Sequence, residues 1–478
     1  MLVEIATFAV LSVALLWAMM EQAGGALGWI WPLSAIGFAG LGYFFLNRRC
    51  TAPRIDRLTV VLLSGLAAVP LLQILPLPVL IVAVFSPARA ELLRPAEALL
   101  GESKWTATLS VAPEMSEPYA VLGLGMALVF LIVRELSLRF RDHVHTWAPA
   151  WPLLAAGLFQ GTLGIFQTYM EGGEGYARGT YSSRDYYAWF LELVLPFAVL
   201  YPLAILSRER PPQERPARPA LKVCGLLVIA AVLLVSIIDS LSPMAFWATL
   251  TGLFLSGAIG LGFRRYLEPP VVIHAWTKWL PCGLIAAAAL LGYLYLPVDA
   301  LKKEFSELAS SEAQPAGRIV QVWQDSKRLA GAYPVFGAGL GAYHSASLRY
   351  RTAAAGSATE SAHSDYLQVL GETGFIGFLL GLALGLRVLY SAVYGIVYAG
   401  LPDDRMLSVA CFASLTVALF LGFLNSNLSV PANALVLAWI AGMASTRLTV
   451  PVRRMRKLEL LPPAASAAMP AQYTYFQK

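Results

Sequence analysis

Long apolar runs broken by short charged segments organise the chain. A segment needs roughly 20 mostly apolar residues to cross the hydrocarbon core of a bilayer. Runs of that kind recur at about 3–21, 24–46, 58–80, 118–136, 148–169, 187–206, 221–239, 243–263, 279–296, 374–398, 407–425 and 431–449. They predict an all-α fold, a polytopic bundle of about twelve transmembrane helices. The third run holds Pro70, Pro76 and Pro78 and is expected to end in an interfacial segment. The first lacks a basic leader and contains Glu4, so it is expected to be a retained span rather than a cleaved signal peptide.

Composition removes several classes of function. Of 478 residues, 58% are hydrophobic and only 13% charged, and mean hydropathy is +0.63. A soluble enzyme of this length needs far more polar surface, and a disordered chain needs fewer apolar residues. The net charge of +6 is too small to suggest a nucleic-acid partner. Its placement has another explanation. With both termini cytoplasmic, the inner segments NRRCTAPRIDR, RELSLRFR, SRERPPQERPARPALK, FRRYLEPPVVIHAWTK, LPDDR and the tail from Arg447 hold 22 of the 35 basic residues. Every inner segment is basic, as the positive-inside rule expects. Residues 1–449 are expected to form one integral membrane domain, and the Pro/Ala-rich stretch 450–478 a disordered cytoplasmic tail. Cys50, Cys224, Cys282 and Cys411 show no paired spacing, so neither a disulfide framework nor a zinc site is indicated.

Three outer segments are long enough to carry chemistry, at about 81–117, 170–186 and 297–373. In the largest, GRIVQVWQDSKRLAG reads as a short amphipathic helix and AYPVFGAGLGAYH as a glycine-rich turn. This loop is expected to fold back on the bundle, because its aromatic and aliphatic residues would otherwise face water. Gly337, Gly339 and Gly341 do not make a nucleotide loop: no strand precedes them and no Lys-Ser/Thr follows. No outer D-x-D or carboxylate cluster appears, so neither metal nor cofactor is expected.

Candidate chemistry lies in the same outer segments. Arg178 and Arg184 flank the ARGTYSSRD stretch ahead of a span. For Arg184 an interfacial snorkelling role competes evenly with anion binding, whereas Arg178 stands further out among Gly and Tyr. Arg318 opens the amphipathic helix, with Trp323, Lys327 and Arg328 following; such charges most often make a solvated helix face, but a guanidinium fork also suits phosphate oxygens. Of five histidines, His143, His145 and His274 fall on the inner side and read as surface residues. His344 and His363 fall outside, and His363 stands immediately ahead of a span beside Asp365 and Tyr366. Imidazole can take a proton from a hydroxyl near neutral pH.

Three blocks together resemble the O-antigen ligase and polymerase superfamily, the Wzy_C-type membrane glycosyltransferases, over about residues 150–380. They are ARGTYSSRDYYAWFLELVLPFAVL, GRIVQVWQDSKRLAGAYPVFGAGLGAY and AHSDYLQVLGETGFIGFLL. The chain departs from the usual pattern at Ser183, Asp185 and Ser364, where the family has Asn. The resemblance implies a donor glycan on undecaprenyl diphosphate and a lipid or glycan acceptor, with lipid A-core as one example. It implies a site on the periplasmic face of the bacterial inner membrane. Arg178 and Arg318, with Arg184 beside them, would bind the pyrophosphate, and His363 would be the catalytic base of an inverting transfer without metal. Tyr181, Tyr187, Tyr343 and Tyr350 are further candidates for contacts to sugar or acceptor.

The resemblance leaves ligase, polymerase and protein O-oligosaccharyltransferase open. A polysaccharide flippase is the competing class. It would be expected to line its path with polar groups inside the spans. Here Glu192 and Arg387 are the main such residues, no internal repeat stands out, and polar groups gather outside, which favours the enzyme.

Overall fold

The computed structural model describes residues 2–21, 28–46, 55–100, 105–143, 145–170, 175–207, 217–242, 245, 247–252, 254, 315–352 and 361–448. The expected span at 279–296, most of that at 243–263, the first part of the large loop and the 450–478 tail lie outside the described residues. The rest is helical. In order come α1 (Leu2–Met20), α2 (Ile30–Leu46), α3 (Arg57–Ile74), α4 (Val79–Phe85), α5 (Pro87–Leu100), α6 (Pro113–His143), α7 (Trp151–Met170), α8 (Arg184–Ser207) and α9 (Ala217–Asp239). After the undescribed stretch follow α10 (Pro315–Ala332), α11 (Tyr343–Ser347), α12 (Asp365–Tyr398), α13 (Pro402–Leu421) and α14 (Pro431–Ala444). Two short strands, β1 (Leu77–Pro78) and β2 (Thr106–Ala107), pair antiparallel and bracket α4 and α5.

Among the described residues seven helices are long and apolar enough to cross a membrane: Leu2–Met20, Arg57–Ile74, Pro113–Arg141, Arg184–Ser207, Pro219–Asp239, Asp365–Tyr398 and Pro402–Leu421. The all-α polytopic fold stands, but twelve spans are not reproduced among the described residues. Helices α2, α7 and α14 coincide with expected spans without meeting the same length and hydropathy conditions. The perimeter is strongly apolar: Phe38, Phe44, Leu80, Leu221 and Val228 are exposed. So much bare hydrocarbon on a folded surface fits lipid, not water.

Polar contacts divide the bundle into two ends. At one, here called the base, Arg139 pairs with Glu4 and Glu135, Arg141 with Asp404, and Arg387 with Asp56 at 2.8 Å. Arg387, read from sequence as lying inside a span, thus reaches the base through Asp56. Asp56 also caps α3, its carboxylate accepting the Thr59 N–H at 3.1 Å and satisfying one orphan donor of the first turn. Helix α3 ends at Ile74, before the two prolines that cannot donate to a continued helix. The chain then enters β1 at the opposite end, the crown.

Helix α8 is the most enclosed of the seven, and it packs against α9 and α13. Trp189, Phe190 and Phe197 fill its contacts. Burying each such aromatic is worth roughly 1.5–3 kcal/mol in water, but within a bilayer the gain is mainly dense packing. This fixed helix delivers its N-terminus to the crown.

Candidate functional site at the crown

The site rests on a lock between the glycine-rich turn and α12. At Gly374 α12 breaks, with φ 65° and ψ −171°. The renewed helix has orphan N–H groups, and the turn supplies their partners: Phe375 N–H donates to the Pro334 carbonyl at 2.8 Å and Ile376 N–H to that of Val335 at 3.3 Å. Gly337 also has a positive φ, 74°, and a Cβ there would strike the Glu372 backbone. Only glycine allows the two strands of chain to approach this closely. Ala338 and Gly339 then donate to the carbonyls of Gly371 and Glu372 at 2.9 and 3.0 Å.

Gln73, fully buried near the end of α3, ties the turn to the bundle. Its amide nitrogen donates to the carbonyl of Glu372 at 2.7 Å, and its amide oxygen accepts the Leu340 N–H at 2.9 Å. The buried Glu372 carboxylate accepts the Tyr343 N–H at 3.3 Å and the Gln368 amide at 3.3 Å. Each such bond contributes about 1 kcal/mol, and a lost partner would cost more, because the groups are shut away from solvent.

Helix α10 lies across this platform. Val322, Ser326 and Leu329 face inward while Val320, Gln324, Lys327 and Arg328 are exposed, the amphipathic pattern read from the sequence. The inward face holds both neighbours of the loop. Asp325, buried, accepts the Thr352 N–H at 3.1 Å, and the Trp323 indole donates to the His363 carbonyl at 3.3 Å. His363 itself has φ 49°, a left-handed backbone unusual for a residue with a Cβ. The next residue is fixed as well, Ser364 N–H donating to the Ser426 hydroxyl at 3.1 Å. Burial pushes the His363 imidazole below the usual histidine range, and the Asp185 carboxylate opposes that shift. The ring is therefore mostly neutral near pH 7, the form that accepts a proton.

Asp185 comes from the first turn of α8, and its neighbour Tyr186 shares side-chain hydrogen bonds with Ser361 and Ser429. Segments far apart in sequence thus meet at the crown: 175–186 before and into α8, α10, and 361–365 before and into α12. Arg178 is partly buried in the first of these, its carbonyl accepting the Tyr181 N–H at 3.0 Å. Arg184 opens α8 with its guanidinium over the Tyr176 ring, 5.4 Å from the centroid. Arg318 occupies the first turn of α10; its side chain lies outside the described residues.

The candidate tyrosines separate. Tyr181 donates to Asn433 Oδ1 at 2.9 Å and Tyr187 to the Gln160 carbonyl at 3.1 Å, and both are packed in the bundle interior. Tyr343 is buried with its hydroxyl 2.6 Å from Ser326 Oγ, and burial raises its phenol so that it stays protonated. Tyr350 is half-buried, edge-on to Tyr333. Among the described residues no group of three or more His, Cys, Asp or Glu gathers as metal ligands would.

Residues 226–382 match the family model Wzy_C, described as O-antigen ligase. That match supports a relation to the O-antigen ligase superfamily over a segment shorter than half of the chain. A search of curated proteins finds no match. The O-antigen ligase segment takes in α10, the glycine-rich turn, His363 and the break in α12. Arg178, Arg184 and Asp185 lie before it, so the first of the three sequence blocks falls outside the match although it folds against the matched segment. The match supports a membrane glycosyltransferase-like function in glycan assembly. Sequence reasoning passed over Gln73, Asp325 and Asp185 as site residues. A glutamine within an apolar run was the available signal for the first. The other two have none, since their partners lie far along the chain or in a loop.

Proposed function

We propose that the chain is a multi-pass glycosyltransferase of the bacterial inner membrane, both termini cytoplasmic, that works on the periplasmic face. It transfers a glycan from undecaprenyl diphosphate to an acceptor hydroxyl, in the manner of an O-antigen ligase. The observation that carries this reading is the crown itself: a half-buried, neutral imidazole held by its own backbone, beside the arginine-bearing 175–184 segment.

The chemistry then needs little else. The acceptor oxygen attacks the anomeric carbon as its proton passes to the imidazole nitrogen of His363. The bond from that carbon to the phosphate oxygen breaks, and undecaprenyl diphosphate leaves. One displacement inverts the carbon. Arg178, Arg184 and Arg318 balance charge growing on the diphosphate, a task suited to guanidinium forks. The polyprenyl tail lies against the apolar perimeter.

The test is transfer in reconstituted vesicles supplied with a lipid-diphosphate-linked glycan. His363→Ala should lose roughly 100-fold or more of the rate, the usual contribution of a general base, while inserting and purifying normally. Undiminished transfer would remove His363 from the mechanism. The acceptor sorts the alternatives: lipid A-core marks a ligase, a second repeat unit a polymerase, a protein hydroxyl an oligosaccharyltransferase, and movement without a new bond a flippase.

A further inference from the structure

We infer that Gln160, buried within α7, is a positioning residue for Arg178: it holds the 177–181 segment as a re-entrant turn that presents the guanidinium to the donor diphosphate. The inference rests on the glycosyltransferase reading above and adds to it a side chain outside the matched segment.

Gln160 is fully buried and stands ten residues before the end of α7 at Met170. At a rise of 1.5 Å per residue that is about 15 Å back along the helix. An amide this far inside an apolar helix needs partners of its own. The two closest are on a single residue of the 177–181 segment. The amide oxygen accepts the Thr180 N–H at 3.1 Å, and the amide nitrogen donates to the Thr180 hydroxyl at 2.7 Å. A third, longer contact of 3.4 Å runs to the Met19 carbonyl on α1.

The rest of the turn is pinned as closely. Ala177 packs on Gly164 of α7, and its N–H donates to the Asp239 carbonyl at the end of α9 at 2.8 Å. The Gly179 carbonyl accepts the Gln167 amide at 2.8 Å. The Tyr181 N–H donates to the Arg178 carbonyl at 3.0 Å and closes the turn. Gly179 has φ 57°, and a Cβ there would strike the Gln160 amide oxygen, so glycine is what lets the glutamine in. Irregular backbone beside a membrane helix persists only where protein groups satisfy it, and Gln160, Gln167 and the end of α9 do so here. Ala177 and Gly179 are buried, whereas Arg178 between them keeps partial exposure. The chain is thus fixed on both sides of one guanidinium. A fork held in this way meets a diphosphate with less freedom left to lose.

The experiment compares the full chain with Gln160→Leu, Arg178→Ala and the double variant, in detergent and in vesicles supplied with the lipid-diphosphate-linked glycan. The first readout needs no activity: hydrogen–deuterium exchange of the 177–183 peptide, followed by mass spectrometry. Exchange there should speed up roughly tenfold or more in Gln160→Leu, as expected for a turn that loses buried hydrogen bonds. The second readout is transfer. Arg178→Ala should lower kcat/KM for the donor. Gln160→Leu should lower it by roughly 10- to 100-fold, the scale of misplacing a positioned group. The double variant should be no worse than Arg178→Ala alone, because the glutamine acts through the arginine. Should Gln160→Leu fail to insert, Thr180→Val removes the hydroxyl partner, keeps the N–H bond and carries the same readouts at smaller size. Unchanged exchange overturns the inference. Losses that multiply in the double variant also overturn it, since a glutamine that only packs the bundle would act independently of Arg178. Faster exchange with normal transfer by Arg178→Ala upholds the cradle and instead sinks the assignment of Arg178 to the diphosphate.

Discussion

His363 carries a side chain in a conformation that glycine holds more cheaply, at a cost of roughly 1–2 kcal/mol. The hydrogen bonds from Trp323 to its carbonyl and from Ser364 to Ser426 hold it there. The two truncations should therefore diverge. His363→Gly should be more stable than His363→Ala by about 1 kcal/mol, seen as a higher thermal midpoint in detergent, while both lose transfer. Equal midpoints would mean that the backbone is not strained. The residue's place ahead of a span was legible in the sequence. The Trp323 indole that holds its carbonyl was not, because Trp323 stands 40 positions earlier and only folding brings the two together.

Among the elements, α12 shows best how a sequence can be right in outline and incomplete in detail. Hydropathy starts the span at 374, and the structure breaks the helix at that residue. Residues 365–373 continue it outward as a polar turn that the apolar pattern could not include. The amphipathic pattern of 317–331 gave α10, and the glycines at 337, 339 and 341 gave the turn, because both signals are local. What neither could give is their joint use, with the turn capping the renewed α12. Gly337→Ala should expose that dependence. Its Cβ would meet the Glu372 backbone, which cannot swing aside as a side chain could. A loss of about 2 kcal/mol or more is expected, measured by thermal or denaturant unfolding, with transfer reduced in step. Stability equal to wild type would show that the turn is free of α12.

At the scale of the whole molecule, the separation of base and crown is a statement about sidedness. Arg139, Arg141 and Arg447, expected inside, collect with Glu4 and Asp404, and the candidate catalytic groups collect at the other end. In a chain whose own cysteines are replaced by serine, Ser345→Cys on exposed α11 should react with a membrane-impermeant thiol reagent applied to the periplasmic side. Arg57→Cys at the base should react only after the membrane is opened. The reverse pattern would put the crown in the cytoplasm and end the proposal of a periplasmic donor. The sequence expectation of an even number of crossings came from the placement of the basic residues. The full count was not recovered, since α2, α7 and α14 do not meet the length and hydropathy of a span and the expected runs at 279–296 and, for the most part, 243–263 lie outside the described residues.

The lean of 361–365 on α8 and on the 422–429 turn has a consequence for how such proteins can be recombined. The matched stretch 226–382 is no portable cassette. Excised, it would keep its imidazole and lose the tyrosine of α8 that bonds Ser361, the serine at 426 and the glutamine beneath the glycine turn. Exchanging that stretch alone between two proteins that share it would transplant a histidine without its scaffold, and hybrids should fold only when α3, α8 and the 422–429 turn travel with it.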